Sequence, residues 1–382
     1  MNPSSLPKIP ILDLAPEIDE LWGDLQEAMQ RVLRSGHFIM GPEVEAFERE
    51  IAAFLGVEHA VAVNSGTDAL FITLRALGVS PGDEVITTPF TFVASAEAIS
   101  LIGAVPIFAD IDPSTLNLDS DQVAAKISPR TKAIIPVHLF GQSCEMDPLL
   151  ALAQRNQLVV LEDVAQAMGG RYRGRMLGTI GAGGAFSFFP SKNLGAFGDG
   201  GLITTDDARV AEISAMLRAH GSKRRYFNEL LGYNSRLDAL QAAMLRVKLP
   251  HLDRANAGRR AAAARYDALL SRGAFAPGEA GSGVVTPRPP AHIDHVYHQY
   301  TIRIPNGLRD SVHEKVAADG IATMIYYPVP AHRLPVYAHL EVSCPLAEAA
   351  AREVLSLPIW PQITADTQER VVESLRSALL GG

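Results

Sequence analysis

Lys192 stands in GGAFSFFPSKNLGAFGDGGLITTDD, just past an apolar run that closes at Ser187 and just before a glycine-rich turn. An amine among apolar and glycine neighbours is suited to a Schiff base, because desolvation lowers its pKa and only the free base is nucleophilic. Gly195, Gly198, Gly200 and Gly201 give the loop the backbone freedom and close packing it needs. A lysine in a turn can also be surface decoration, so the segment is informative only with its companions. One is LVVLEDVAQAMGG, an apolar run with acidic residues at its carboxyl end, where open α/β sheets gather functional groups. Asp163 and Gln166 are neighbours on one face if the chain turns helical there. A carboxylate at that place can pair with a protonated pyridine nitrogen and keep the ring a good electron sink; it can also simply cap a helix. The other is AVAVNSGTDALFITLRALG, where a strand gives way to a helix at Asn64, Ser65, Gly66 and Thr67. Free amides and the positive end of the helix dipole suit a phosphate there, with Gly66 allowing close approach and Thr67 adding a hydroxyl. An ordinary cap by Ser65 or Thr67 is the alternative.

Three such segments work together only if strands and helices bring them to one edge. Short apolar runs alternate with amphipathic stretches from about residue 15 to 250, the pattern of an α/β sheet flanked by helices. Strands are expected at Ala60–Val63, Glu84–Thr87, Val105–Ala109, Ala133–Val137, Leu158–Glu162, Ala185–Phe188 and Gly201–Thr204. They predict one broad, mostly parallel seven-stranded sheet in a large domain over residues 1–250. The run from about Arg246 to Leu270 predicts a long linker helix, broken or kinked at Pro250. The loop GAFAPGEAGSGVVTPRPP follows. A smaller α+β unit then completes a second domain over 251–382, with strands near Tyr297–Ile304 and Thr323–Tyr327 and helices near Asp310–Asp319, Pro345–Leu355 and Ala365–Leu380.

Composition narrows the function classes. In the 382-residue chain, 47% hydrophobic and 20% charged residues place it among folded globular proteins rather than disordered ones. A formal net charge of −8 argues against general nucleic-acid binding. The N-terminal MNPSSLPKIPILDLAPEIDE lacks the apolar core of a signal peptide, and no run has the length of a membrane span, so a cytoplasmic protein is expected. Cys144 and Cys344 are then expected to be buried thiols, and no metal is called for.

In order and content these segments resemble the DegT/DnrJ/EryC/StrS sugar aminotransferases, within fold type I of the pyridoxal phosphate enzymes. The likeness covers nearly the whole chain and rests on NSGTDAL, TPFTFVASAEAISLIGAVPIFADID, PVHLFG, LEDVAQAMG, FSFFPSKNLGAFGDGG, GYNSRLDALQAAMLRVKLPHLD and YYPVPAH. It implies that Lys192 carries pyridoxal 5'-phosphate, which passes through pyridoxamine 5'-phosphate. Asp163 would meet the ring nitrogen, Gln166 the phenolic oxygen, and Gly66, Thr67 and Ser187 the phosphate, while Phe92 would stack on the ring. The resemblance also implies a homodimer with shared active sites, in which Asn234 reaches the phosphate of the partner subunit. Arg236 is expected to help hold the amino donor's carboxylate, and Tyr326 and His332 to lie on the substrate side. The implied reaction moves an amino group from glutamate, leaving 2-oxoglutarate, to a nucleotide-linked keto sugar, at carbon 3 rather than carbon 4. Relatives that dehydrate the sugar carry histidine in place of the lysine. Desulfuration would need a cysteine on a mobile loop. A non-catalytic regulatory protein of the same fold would be marked by loss of Lys192, Asp163 or Ser187, and all three are present.

Overall fold

The computed structural model describes residues 7–224, 226–272, 275 and 283–380. Seven strands form its main sheet: β1 (His59–Val63), β2 (Glu84–Thr87), β3 (Val105–Phe108), β4 (Thr131–Ile135), β5 (Val159–Asp163), β6 (Gly183–Ser187) and β7 (Gly201–Thr205). Their spatial order is β1-β7-β6-β5-β4-β2-β3. Only β7 runs against the others, pairing antiparallel with β1 and β6, while the remaining contacts are parallel. Each of the seven strands expected in this sheet is present, with ends shifted by no more than two residues.

Strand alternation builds two cores. Ile86, Ile134, Val160, Phe186 and Leu202 face one side, against the helices Pro42–Leu55, Met146–Asn156 and Ala239–Lys248. Val85, Ala133, Leu161, Ala185 and Ile203 face the other, against Gly66–Ala76, Ala94–Leu101 and Ala208–Leu217. A sheet covered on both faces explains why its strands are continuous apolar runs. Glu162 is the exception. Its fully buried carboxylate accepts the amides of Gly178, Ile180 and Gly181 at 2.9, 2.7 and 2.8 Å and lies 3.1 Å from His138 Nε2. So many partners are what a buried carboxylate requires.

The helix Ala239–Lys248 passes through the 3-10 turn Leu249–His251 into Leu252–Leu269, so the break falls at Pro250 as expected. Of the following glycine- and proline-rich stretch, residues 273, 274 and 276–282 lie outside the described residues. A second apolar cluster then joins the helices Leu252–Leu269, Arg309–Ala318 and Ala365–Leu380 to an antiparallel pair, β8 (Tyr300–Arg303) and β9 (Val354–Leu357). Ile9 lies in this cluster and bridges Ile321, so both ends of the chain contribute to it.

Two expectations here are corrected. Thr323–Tyr327 is not a strand: it makes one bridge, Met324 to Ser356, and Tyr327 then turns to φ 57°. The helix beginning at Pro345 ends at Glu353, and Val354–Leu357 becomes the strand that pairs with β8.

Candidate active site

A cleft of about 450 Å³ opens at the carboxyl ends of β4, β5 and β6, where it meets residues 298–299 and 326–327 of the C-terminal part. Gly66, Thr67, Phe92, Asp163, Gln166, Ser187, Lys192 and Tyr326 all line it.

Asp163 closes β5 and is buried. Its Oδ2 accepts from Ser95 Oγ at 2.8 Å and its Oδ1 from the Ala165 amide at 3.1 Å. Burial pushes its pKa up against those two hydrogen bonds. A carboxylate with one donor per oxygen, at the wall of a cleft, has acceptor capacity left for a cationic or N–H partner. Gln166 reaches the cleft through turns rather than on a helix, contrary to the helical spacing expected after Asp163. Its Oε1 accepts the Phe140 amide at 2.7 Å, which fixes the side-chain amide so that Nε2 donates, at 2.6 Å to Tyr327 Oη.

Lys192 lies half-buried just beyond β6, its amide bonded to the Phe189 carbonyl at 2.8 Å. Desolvation pulls its pKa down to about 8, with Asp163 opposing. Burial thus brings the amine toward its nucleophilic form while the carboxylate across the cleft limits the shift.

At the other end of the cleft, Ser65 caps the helix Gly66–Ala76, accepting the Asp68 amide at 3.1 Å. Ser65 is therefore the cap. Thr67 makes no side-chain hydrogen bond among the described residues, so its hydroxyl stays available beside the first amides. A Cβ on Gly66 would fall 2.8 Å from Ser187 Cβ, so only glycine lets the helix start sit this close to β6. Phe92 stands 61% exposed in the cleft wall, unlike a core phenylalanine.

Three expected residues lie outside the cleft. Asn234 is exposed, with a backbone bridge to Ala219, while the next residue, Ser235, is tied to Asp68 at 2.5 Å. Arg236 is half-buried. His332 is 2% exposed, its Nε2 3.0 Å from Glu348 Oε1, and it packs near Phe108. It is not among the residues that line the cleft of this chain.

Conversely, Ser95, His298, Gln299 and Tyr327 line the cleft without having been singled out. Ser95 and Tyr327 sit inside the segments TPFTFVAS and YYPVPAH, but nothing in local spacing links residue 95 to residue 163. Both cysteines are buried, with pKa values pushed up to about 12 chiefly by desolvation. Such thiols are not the exposed thiolates that desulfuration uses.

The cleft contents fit pyridoxal phosphate on the structure's own terms. A desolvated lysine, a buried carboxylate with spare acceptor capacity, a fixed amide donor and a glycine-floored helix N-terminus face one space. With this sheet order, they define a fold type I pyridoxal-phosphate-dependent enzyme. The match to known proteins is correspondingly broad: residues 20–376 fit the DegT/DnrJ/EryC1/StrS aminotransferase family. The chain belongs to that family. It is 48% identical to a Geobacillus stearothermophilus protein named "Pleiotropic regulatory protein", over 96% of this chain and 97% of that one. It is 44% identical to the UDP-N-acetyl-3-dehydro-alpha-D-glucosamine 3-aminotransferase of Acidithiobacillus ferrooxidans, over 98% of each. The crystal structure of DesV from S. venezuelae superposes with a TM-score of 0.92 at 45% identity, covering 97% of this chain and 98% of that one. Among the described residues no helix is long and apolar enough to cross a membrane.

Proposed function

We propose that this aminotransferase moves an amino group from glutamate to carbon 3 of a nucleotide-linked keto sugar, acting in the cytoplasm as a homodimer with shared sites. Residues 1–250 would form its cofactor unit and 251–382 its linker helix and smaller unit. The observation that carries the reading is Lys192 itself, a desolvated amine with a pKa near 8 facing the buried Asp163 in one cleft. The 3-aminotransferase among its relatives supports the sugar and the position. The regulatory name borne by another relative favours no loss of catalysis here, since Lys192, Asp163 and Ser187 are all present.

Pyridoxal phosphate, when bound, supplies an electron sink that stabilises a carbanion next to nitrogen. Lys192 would hold it and, as the free amine, would serve as the base that takes the proton from the donor's α-carbon and as the acid that gives it back. For the sugar, Lys192 would move a proton in the opposite sense, to the carbon that gains nitrogen. Asp163 would accept the ring N–H and favour the protonated nitrogen that the electron sink requires. Gln166 Nε2 donates to the phenolic oxygen with the hydrogen not used by Tyr327. The Gly66 and Thr67 amides, the Thr67 and Ser187 hydroxyls and Asn234 of the partner subunit hold the phosphate. Phe92 covers one ring face, Arg236 meets the donor carboxylate and Tyr326 faces the sugar.

Asp163→Ala is expected to retain cofactor through the phosphate contacts yet slow donor deprotonation roughly hundredfold, the scale on which losing one preorganised electrostatic partner acts. Single-turnover bleaching of the cofactor band by glutamate measures this, and a near-native rate would contradict the role. Gly66→Ala is expected to weaken cofactor binding about tenfold or more by forcing Ser187 and the helix start apart. Equilibrium dialysis of the cofactor reads this loss, and wild-type affinity would show that the 2.8 Å approach is unimportant.

Substrate class is tested in reverse. Nucleoside-diphosphate sugars aminated at carbon 3 or at carbon 4 are added to the yellow enzyme. The 3-amino sugars are expected to bleach the band and 2-oxoglutarate to restore it. Bleaching by 4-amino sugars alone overturns the regiochemistry, and bleaching by none overturns the sugar substrate.

A further inference from the structure

His298 lines the cleft and is 5% exposed. Its hydrogen-bond polarity is decided by backbone carbonyls some way off. Asn256 Nδ2 donates to the Met168 carbonyl at 3.0 Å, which orients that amide and leaves Oδ1 as the acceptor. Asn193 Nδ2 donates to Asn256 Oδ1 at 2.7 Å and to the Val296 carbonyl at 3.0 Å. Asn193 is therefore oriented too, and it is its Oδ1 that lies 3.2 Å from His298 Nδ1. An amide oxygen only accepts, so Nδ1 carries the proton. Burial, with the nearby cations Lys192 and Arg259, holds the pKa of His298 well below the usual histidine range, so the ring is neutral. A neutral ring protonated at Nδ1 has a lone pair at Nε2. The contact of that atom with Gln299 Nε2 is 3.5 Å, at the outer limit of a hydrogen bond.

The surrounding groups have the opposite polarity. Tyr327 Oη accepts from Gln166 and Tyr326 Oη accepts from Gln299 Nε2 at 2.8 Å, so both phenols are left with a proton to donate. Beside these two hydroxyl donors, His298 Nε2 is an acceptor on the same wall. Gly169, at φ 82°, belongs to the same device: a Cβ there would fall 2.6 Å from Asn256 Nδ2 and push away the first amide of the chain.

We propose that His298 Nε2 is a specificity-determining acceptor for an O–H or N–H group of the sugar beside the carbon that gains nitrogen. The relay from Met168 through Asn256 and Asn193 keeps it an acceptor. The inference rests on the sugar-substrate reading above and adds the group that recognises the sugar's donor.

Two substitutions separate acceptor from scaffold. His298→Asn keeps an N–H to donate to Asn193 while removing Nε2. Asn193→Asp sets a carboxylate against Nδ1, favouring a protonated ring whose Nε2 donates instead of accepting. Calorimetric Kd for a bleaching 3-amino-sugar nucleotide is expected to rise about tenfold or more in both, the scale of leaving one buried polar partner unpaired. The glutamate half-reaction of His298→Asn is expected to stay at the wild-type rate. Among deoxy and deamido analogues of the sugar, one that lacks the donor should bind wild type and His298→Asn equally. Unchanged Kd in His298→Asn, or an equal loss in the glutamate half-reaction, overturns this inference alone. A wild type bleached by no amino-sugar nucleotide overturns the substrate reading first, and this inference with it.

Discussion

Lys192→Ala is expected to lower turnover about ten-thousandfold or more, because one side chain serves as both cofactor tether and proton carrier, and general acid–base catalysis alone contributes about 10²–10⁴. Tm should change little, since Lys192 lines a cleft rather than filling the core. The same residue sets a pH dependence. Burial lowers its pKa to about 8, so the ammonium form dominates below that value and the nucleophilic amine above it. When apo-protein is mixed with cofactor, the rate of formation of the visible band is expected to rise about tenfold per pH unit below 8 and to level off above it. A flat profile between pH 6 and 8 would place the reacting amine elsewhere.

The second large effect concerns assembly. Asn234 is exposed and outside its own chain's cleft, although Ser235 beside it is anchored near the helix that begins at Gly66. The nearby segment HGSKRRYFNELL, of which Arg225 lies outside the described residues, shows Tyr226 at 87% and Leu231 at 88% exposure, with Phe227 and Leu230 also exposed. Exposed apolar side chains grouped in this way suit the proposed interface between subunits. If Asn234 serves the partner's phosphate, co-expressed Lys192→Ala and Asn234→Asp chains form mixed dimers with one doubly damaged site and one intact site. Each mixed dimer should then recover about half of wild-type activity, as two symmetric sites require. Homodimers of either variant should be inactive, and Asn234→Asp must itself remain dimeric. No rescue under those conditions would mean that each site is built from a single chain.

The sequence showed the scaffold better than the walls of the cleft. Strands buried on both faces are continuous apolar runs, so β1 to β7 and their ends were legible, and with them the positions of Asp163, Ser187 and Lys192. Legibility failed where non-local pairing overrides local preference. Val354–Leu357 continues a helical pattern, yet it becomes a strand because β8 lies beside it. Thr323–Tyr327 has the composition of a strand, but Met324 alone is paired, and the left-handed turn at Tyr327 accompanies the entry of both tyrosines into the cleft wall. Left-handed backbone at a bulky residue is a strain expected at functional sites. For His332 the motif was legible, but its contact with Glu348 depends on the helix that begins at Pro345. His298 carried no local signal at all, since its role follows from two amides held by carbonyls elsewhere in the chain.

The most direct test traps the cofactor on wild-type protein with borohydride, before and after addition of an amino donor, and maps the modified peptide by mass spectrometry. Before the donor is added, the adduct should lie on Lys192 alone. After glutamate, it should be absent from the protein, because the lysine has been displaced and the cofactor carries the amino group. An adduct on another lysine, or one on Lys192 that persists after every amino donor, would contradict the account.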